Sequence, residues 1–146
     1  MAEGPDLLRR ATSIVLIDWP AREVPETLAR RGLAVVSDDG PERGYSSYAV
    51  DGDDVTATPV SHAPERADIV YAYRPIDELT DIIERARTLG ARALWYQSGR
   101  DATGGRDPRG CWLPAEELEQ ARQAVESAGL RLITAPYIVD AAASLD

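Results

Sequence analysis

The stretch that decides the fold runs from Arg66 to Gly99 and reads RADIVYAYRPIDELTDIIERARTLGARALWYQSG. Two apolar runs of strand length, ADIVYAY and RALWYQ, flank a segment whose apolar residues recur at helical spacing on one face. That segment ends at Gly90, a residue type that suits the C-terminal cap of a helix. A strand, a helix and a second strand in this order predict a parallel unit joined by a right-handed crossover.

Polar residues follow both strands of this unit. Arg74 comes directly after the first strand, and Gln97 and Ser98 close the second. In open parallel sheets, ligands bind beyond the carboxyl ends of the strands, where the strand order reverses. The sequence therefore predicts a ligand site at this edge of the sheet.

The rest of the chain repeats the same alternation of strand and helix. Three further apolar runs predict strands, and three segments that are apolar on one face predict helices. The strands are expected at 13–18, 33–37 and 130–134, and the helices at 6–11, 24–32 and 114–129. Residues 41–65 are the least regular, with a turn at 51–54 and a short strand at 55–60, and the tail from 136 is compatible with a helix. The predicted fold is α/β, a Rossmann-like open parallel sheet of about five strands with helices on both faces.

Composition limits the function classes. The 146 residues suit one domain, and the net charge of −9, with arginines scattered along the chain, opposes binding to nucleic acid. No apolar run approaches the roughly 20 residues of a membrane helix, nothing reads as a signal peptide, and Cys111 has no cysteine to pair with. We expect an acidic, soluble, cytoplasmic protein with no membrane partner. The oligomeric state is not indicated.

Two motifs carry a resemblance to a known family. The strand end from Asp68 to Arg74 and the segment GARALWYQSG, residues 90–99, stand at a spacing that is similar to the small stand-alone CoA-binding-domain proteins of bacteria. That family is related to the CoA-binding domain of the succinyl-CoA synthetase alpha subunit. The resemblance covers nearly the whole chain from about Asp6, and it implies a single Rossmann-like domain over 1–146.

The resemblance also implies a ligand, coenzyme A or a similar nucleotide, with its phosphates near the turn at 18–21. Arg74 and Gln97 match the family motifs outright, and residues 39–41 stand at the family's Asn-Pro turn. Together with the rule for strand ends, this gives a set of expected ligand-binding residues: Trp19, Pro20, Asp39, Gly40, Pro41, Arg74, Pro75, Gln97, Ser98 and Arg100. For Arg74, a salt bridge to a neighbouring acid such as Asp77 is the alternative.

Two departures from the family pattern bear on the ligand. No glycine occurs between Pro5 and Arg31, and Asp18 stands where family members have a glycine-and-serine phosphate loop. A carboxylate facing a pyrophosphate is repulsive by roughly 1 to 4 kcal/mol for charges about 4 Å apart. The second departure is an insertion at about 98–114, which is either a lid whose arginines (Arg100, Arg106 and Arg109) face an anionic ligand or a solvated surface loop.

Three functions remain open from the sequence. The first is a small-molecule-binding domain for coenzyme A or another nucleotide. The second is an enzyme that has reused the cleft for a small organic substrate, with Asp18, His62 and Tyr73 as acid and base groups and Arg74 as an anchor. The third is an interaction module in a larger complex. His62 also reads as a surface histidine, and the paired acids at 37–40 and 51–54 lack the spacing of calcium loops, so no metal site is expected.

Overall fold

The computed structural model describes residues 3–145 and contains one sheet of seven strands in the order β4-β3-β2-β1-β5-β6-β7. The strands are β1 Ser13–Ile17, β2 Ala34–Asp38, β3 Tyr45–Asp51, β4 Asp54–Val60, β5 Ile69–Ala72, β6 Ala93–Tyr96 and β7 Arg131–Ile133. The helices are α1 Glu3–Arg10, α2 Glu23–Arg30, α3 Leu79–Thr88, α4 Ala115–Ser127 and α5 Ile138–Ala143, and a 3₁₀ turn at Ile76–Glu78 precedes α3. No helix in this part of the chain is both long and apolar enough to cross a membrane.

The five strands predicted from apolar runs form the parallel part of the sheet. β1 is the middle strand of the seven and pairs in parallel with β2 on one side and β5 on the other, and β6 and β7 continue in the same direction. The central residues of β1, Ile14 to Leu16, are fully buried because helices cover both faces of the sheet. The predicted α/β class and the Rossmann-like arrangement are therefore confirmed.

The predicted strand count of about five is wrong, because the sheet has seven strands. Most of the least regular segment, 41–65, is an antiparallel hairpin of β3 and β4, in which the turn predicted at 51–54 and the short strand predicted at 55–60 are confirmed. β3 pairs antiparallel with β2, which makes β4 the edge of the sheet. Gly52 supports the tight turn of the hairpin, since its φ of 64° is a conformation that residues with a Cβ rarely adopt.

Two apolar layers hold the helices to the sheet. On one face, α1, α2 and α5 pack through buried residues such as Leu8, Leu28 and Ile138. On the other face, α3 and α4 pack through Ile82 and Val125 among others. This sandwich fixes the positions of the strand ends, where the predicted site lies.

Candidate functional site

A cleft of about 1150 Å³ opens at the carboxyl edge of the sheet, beside β1. The chain leaves β1 toward β2 on one side and later reaches β5 on the other side, so the strand order reverses at β1. This is the position at which open α/β sheets bind ligands. Four structural units line the cleft: the end of β1, the turn after β2, the β3–β4 hairpin, and the segment from Arg74 to Arg85.

The turn after β1 has an unusual backbone conformation. Asp18 has a φ of 63°, in the left-handed region, which aspartate tolerates better than most residues because its short polar side chain bonds locally. One Asp18 carboxylate oxygen accepts a hydrogen bond from the Trp19 backbone N–H at 2.9 Å. The turn therefore has a glycine-like backbone conformation although it contains no glycine.

Arg74 holds the end of β5 to the end of β1. Its guanidinium donates to Glu78 through Nε at 3.0 Å and Nη2 at 2.6 Å, and to Asp18 through Nη1 at 3.2 Å. The hydrogen bond to Glu78 is the main cause of a raised pKa at Arg74, and the same contact lowers the pKa of Glu78. The salt-bridge alternative for Arg74 thus involves Glu78 and Asp18 and not Asp77. With 39% of its side chain exposed, Arg74 remains open to solvent at the cleft wall.

Two neighbouring carboxylates at the end of β2 have different partners. Asp38 forms an ion pair with Arg85 from α3 and also accepts the Gly40 backbone N–H at 3.0 Å. Asp39 has no cationic partner among the described residues, and hydroxyl groups hold it on both oxygens. Ser37 and Ser46 each donate to it at 2.6 Å.

A chain of hydroxyl groups leads to Asp39. Tyr48 donates to the oxygen of Ser37 at 3.3 Å, and Ser37 donates in turn to Asp39. Ser37 is fully buried, and burial raises the pKa of Tyr48, so both hydroxyls keep their protons at neutral pH. Every hydrogen bond in this chain points toward the Asp39 carboxylate, which is therefore a fixed acceptor.

The structure brings together part of the predicted ligand-binding set. Trp19, Asp39, Gly40, Pro41 and Arg74 line the cleft together with the acid and base candidate Asp18, whereas Pro20, Pro75, Gln97, Ser98 and Arg100 are not among its lining residues. Seven lining residues besides the apolar Ile17 and the turn residue Gly44 lie outside the predicted set of site residues: Asp38, Arg43, Tyr45, Ser46, Pro59, Glu78 and Arg85. Asp38 was within reach of the strand-end rule because it is the last residue of β2, whereas Glu78 closes the 3₁₀ turn well beyond β5. The hairpin residues carried no such signal.

The three candidate acid and base residues do not meet in one site. Asp18 lines the cleft, but His62 is exposed in the loop beyond β4. Tyr73 is half-buried against the apolar layer of α1, α2 and α5, with its ring next to Gly99. Neither His62 nor Tyr73 is a lining residue of the cleft. The arrangement that the enzyme hypothesis requires, Asp18 facing one of the other two, is absent from residues 3–145 in this structure.

Gln97 lies inside the protein, with 1% of its surface exposed. The hydroxyl of buried Tyr71 donates to the Gln97 side-chain oxygen, and the Gln97 amide donates to the carbonyl of Pro108 in the insertion. Burial raises the pKa of Tyr71, which keeps this hydroxyl a donor. In this structure the motif residue Gln97 therefore connects β5 to the insertion.

The insertion at 98–114 is held together by backbone hydrogen bonds of its own and is attached to the helix α5 region through Arg109. Gly99 donates its N–H to the Gly110 carbonyl at 3.0 Å, and Trp112 donates to the Arg100 carbonyl at 3.1 Å. The Arg109 guanidinium lies 4.7 Å from the centre of the Tyr137 ring and pairs with Asp140 at 2.7 Å. None of its residues lines the cleft, so its role as a lid stays a prediction.

Nucleophilic and metal chemistry find little support in the described structure. Burial raises the pKa of the Cys111 thiol to about 11, and its sulfur contacts the carbonyl of Arg109. Within residues 3–145, no three His, Cys, Asp or Glu side chains are grouped so that they could hold a metal ion.

Comparison with known proteins gives one family and several similar folds. A family model described as a CoA binding domain matches residues 17–140. Solved structures with similar folds include Prb, a protein redesigned for binding, with 18% identity over 99% of this chain and 92% of that one, at a TM-score of 0.65. A hypothetical protein from Pyrococcus horikoshii OT3 is 16% identical over the same shares at a TM-score of 0.63. A protein from Thermus thermophilus is 19% identical over 97% of this chain and 95% of that one, at a TM-score of 0.61. No curated protein matches the sequence.

Proposed function

Since the chain belongs to the CoA-binding domain family, we propose that it is a small-molecule-binding domain that holds coenzyme A or a closely related adenine nucleotide in the cleft beside β1. One observation carries the proposal. The cleft lies where the strand order reverses, and its walls are the turn after β1 and the turn after β2, the positions that bind nucleotides in this class of sheet.

The cleft fits an adenine nucleotide in size and in lining. Its volume of about 1150 Å³ is slightly above the range of roughly 300 to 1,000 Å³ usual for small-molecule pockets, as an extended ligand requires. Trp19 and Tyr45 offer aromatic surface for a planar base. Arg43 and Arg74 offer guanidinium groups to a diphosphate. A guanidinium group binds phosphate oxygens in a fixed fork geometry.

Electrostatics makes the fit selective. The lining residues include four carboxylates, Asp18, Asp38, Asp39 and Glu78, and three arginines. Two of the arginines already have acidic partners, so a phosphate that binds Arg74 competes with Glu78 and Asp18. Arg43 forms no ion pair or side-chain hydrogen bond within residues 3–145 and meets a phosphate without this competition. We expect affinity to fall as phosphate charge is added beyond what these groups neutralise.

The enzyme alternative has no comparable support. Its acid and base candidates are dispersed, and none of the matched families or folds brings a reaction to this cleft. The binding hypothesis is therefore the one that the geometry favours.

Calorimetry on the purified protein with coenzyme A, acetyl-CoA, dephospho-CoA, ADP and NAD tests the proposal. Trp19→Ala should weaken the binding of the best ligand by about 5- to 150-fold, because a stacking contact with a base contributes about 1 to 3 kcal/mol. Trp112→Ala is the matched control, since Trp112 is exposed on the insertion and outside the cleft. The proposal fails if no compound binds saturably at millimolar concentration, or if the two variants weaken binding equally.

A further inference from the structure

Resting on the proposed function, we propose a specificity determinant: Asp39 selects an adenine nucleotide whose ribose hydroxyls are free, and it disfavours the 3′-phosphate that distinguishes coenzyme A from dephospho-CoA. In dinucleotide-binding sheets, a carboxylate about 20 residues beyond the phosphate turn hydrogen-bonds the ribose 2′-hydroxyl, the neighbour of the 3′-hydroxyl. Here the end of β2 supplies two carboxylates, Asp38 and Asp39, at about that distance from the turn at Asp18.

The partners of these two carboxylates assign the role to Asp39. Asp38 already has the Arg85 guanidinium on one oxygen and the Gly40 N–H on the other. Asp39 receives one hydroxyl donor on each oxygen and no cation. Because an ionised carboxylate offers about four lone-pair sites, Asp39 retains acceptor capacity for a diol.

The direction of the hydrogen bonds decides which group Asp39 can accept. Tyr48 donates to Ser37, and Ser37 donates to Asp39, so the chain ends in an acceptor. A ribose hydroxyl can donate to that acceptor, whereas an ionised phosphate presents only acceptors and the same sign of charge. The buried Ser37 holds the carboxylate in place before the ligand arrives, which favours the diol further.

Arg43 is the group that opposes this selectivity. It lines the cleft beside the same turn, and its guanidinium is without an ion pair in the described part of the chain. Its side chain is exposed, where screening by solvent and the entropy of a long side chain keep such contacts weak. Asp39 is half-buried and fixed by two short hydrogen bonds, so we expect its effect on a 3′-phosphate to dominate.

The test compares ligands that differ only by this phosphate. Dephospho-CoA and coenzyme A form one pair, and AMP and adenosine 3′,5′-bisphosphate form a second pair without the pantetheine arm. In calorimetry at fixed pH and ionic strength, the ligand without the 3′-phosphate should bind about tenfold tighter in both pairs. If neither member of a pair binds, the proposed function itself fails. If both bind and the phosphorylated ligand is equal or tighter, only the selectivity inference is overturned.

Asp39→Asn then locates the effect. The amide keeps the size of the side chain and an acceptor for one serine, so the variant should fold, which its melting temperature checks. It should bring the ratio of the two affinities close to one. Asp81→Asn is the control, because it removes the same charge from an exposed position on α3 outside the cleft and should leave the ratio unchanged. An Asp39→Asn protein that keeps the wild-type ratio refutes the assignment to Asp39.

Discussion

The buried contact of Tyr71 with Gln97 allows a sharp test of what the motif glutamine does. Gln97→Leu leaves the Tyr71 hydroxyl without an acceptor and the Pro108 carbonyl without a donor. Gln97 is 1% exposed and Tyr71 is fully buried, so water does not replace the acceptor of the Tyr71 hydroxyl, whereas Pro108 is exposed and its carbonyl can bond to water. At about 1 to 3 kcal/mol for the one orphaned buried hydroxyl, the free energy of unfolding should fall by about 1 to 3 kcal/mol.

Tyr71→Phe, alone and combined with Gln97→Leu, completes a double-mutant cycle. Tyr71→Phe alone should destabilise by about 1 to 3 kcal/mol, because it leaves the Gln97 oxygen without a donor. Added to Gln97→Leu, the same change removes a hydroxyl that has already lost its acceptor. The double variant should therefore be more stable than Gln97→Leu by about 1 to 3 kcal/mol.

Urea unfolding followed by fluorescence measures the cycle, provided the slope of unfolding free energy against urea is the same for all variants. Gln120→Leu, an exposed change on α4, is the control and should shift stability by no more than about 0.5 kcal/mol. Nucleotide affinity should be unchanged in Gln97→Leu, since this residue does not line the cleft. A double variant less stable than Gln97→Leu, or a loss of ligand affinity at wild-type stability, would refute the structural role.

Three other predictions concern the strand-end arginine and the insertion. Arg74→Ala should raise the pKa of Glu78 toward its ordinary value, and an NMR titration of the Glu78 carboxyl measures this. In the wild type, the stability that the Arg74–Glu78 ion pair contributes should be fully present above the ordinary pKa of a glutamate. It should be lost as the pH falls through the lowered pKa of Glu78. Gly110→Ala should destabilise the protein by about 1 to 3 kcal/mol or more in urea unfolding, because a Cβ there would stand 2.0 Å from the Arg100 carbonyl oxygen. Cys111 should react about 100-fold more slowly with iodoacetamide near pH 7.5 than an unshifted thiol, with the ordinary rate recovered in denaturant, because its pKa is raised to about 11.

The parallel part of the fold could be predicted because its strands are covered on both faces. Such strands are continuous apolar runs, and each of the five is followed or preceded by a helix with a single apolar face. The hairpin gave a weaker signal: its turn and its second strand could be predicted, but its first strand, β3, could not. β4 is the exposed edge of the sheet, with Val55 its only buried residue, so its sequence is constrained mainly by pairing with β3.

The same difference limits prediction of the site. The residues at the ends of β1, β2 and β5 could be placed in one cleft, because parallel strands bring their carboxyl ends together. Whether a residue just beyond a strand faces the cleft or the interior depends on what covers it. Gln97 follows β6 as Arg74 follows β5, but the insertion covers Gln97 and binds its amide. Ser46 contacts Asp39 because β3 pairs with β2. No pattern in the local sequence predicts this contact.

Most charged side chains of the cleft already have partners within the protein, and this limits which ligand groups they can bind. Arg74 and Arg85 have carboxylate partners, while Asp39 has hydroxyl donors but no cation. An incoming phosphate must displace a carboxylate from an arginine or use Arg43, whereas an incoming hydroxyl can bind Asp39 and displace nothing. Ligand hydroxyls should therefore contribute specificity, and phosphates should contribute affinity only as far as Arg43 and Arg74 can neutralise them. Raising the salt concentration should weaken the phosphate contribution and reduce the preference for a free ribose to the part supplied by the hydrogen bond to Asp39, because salt screens the repulsion between Asp39 and a 3′-phosphate.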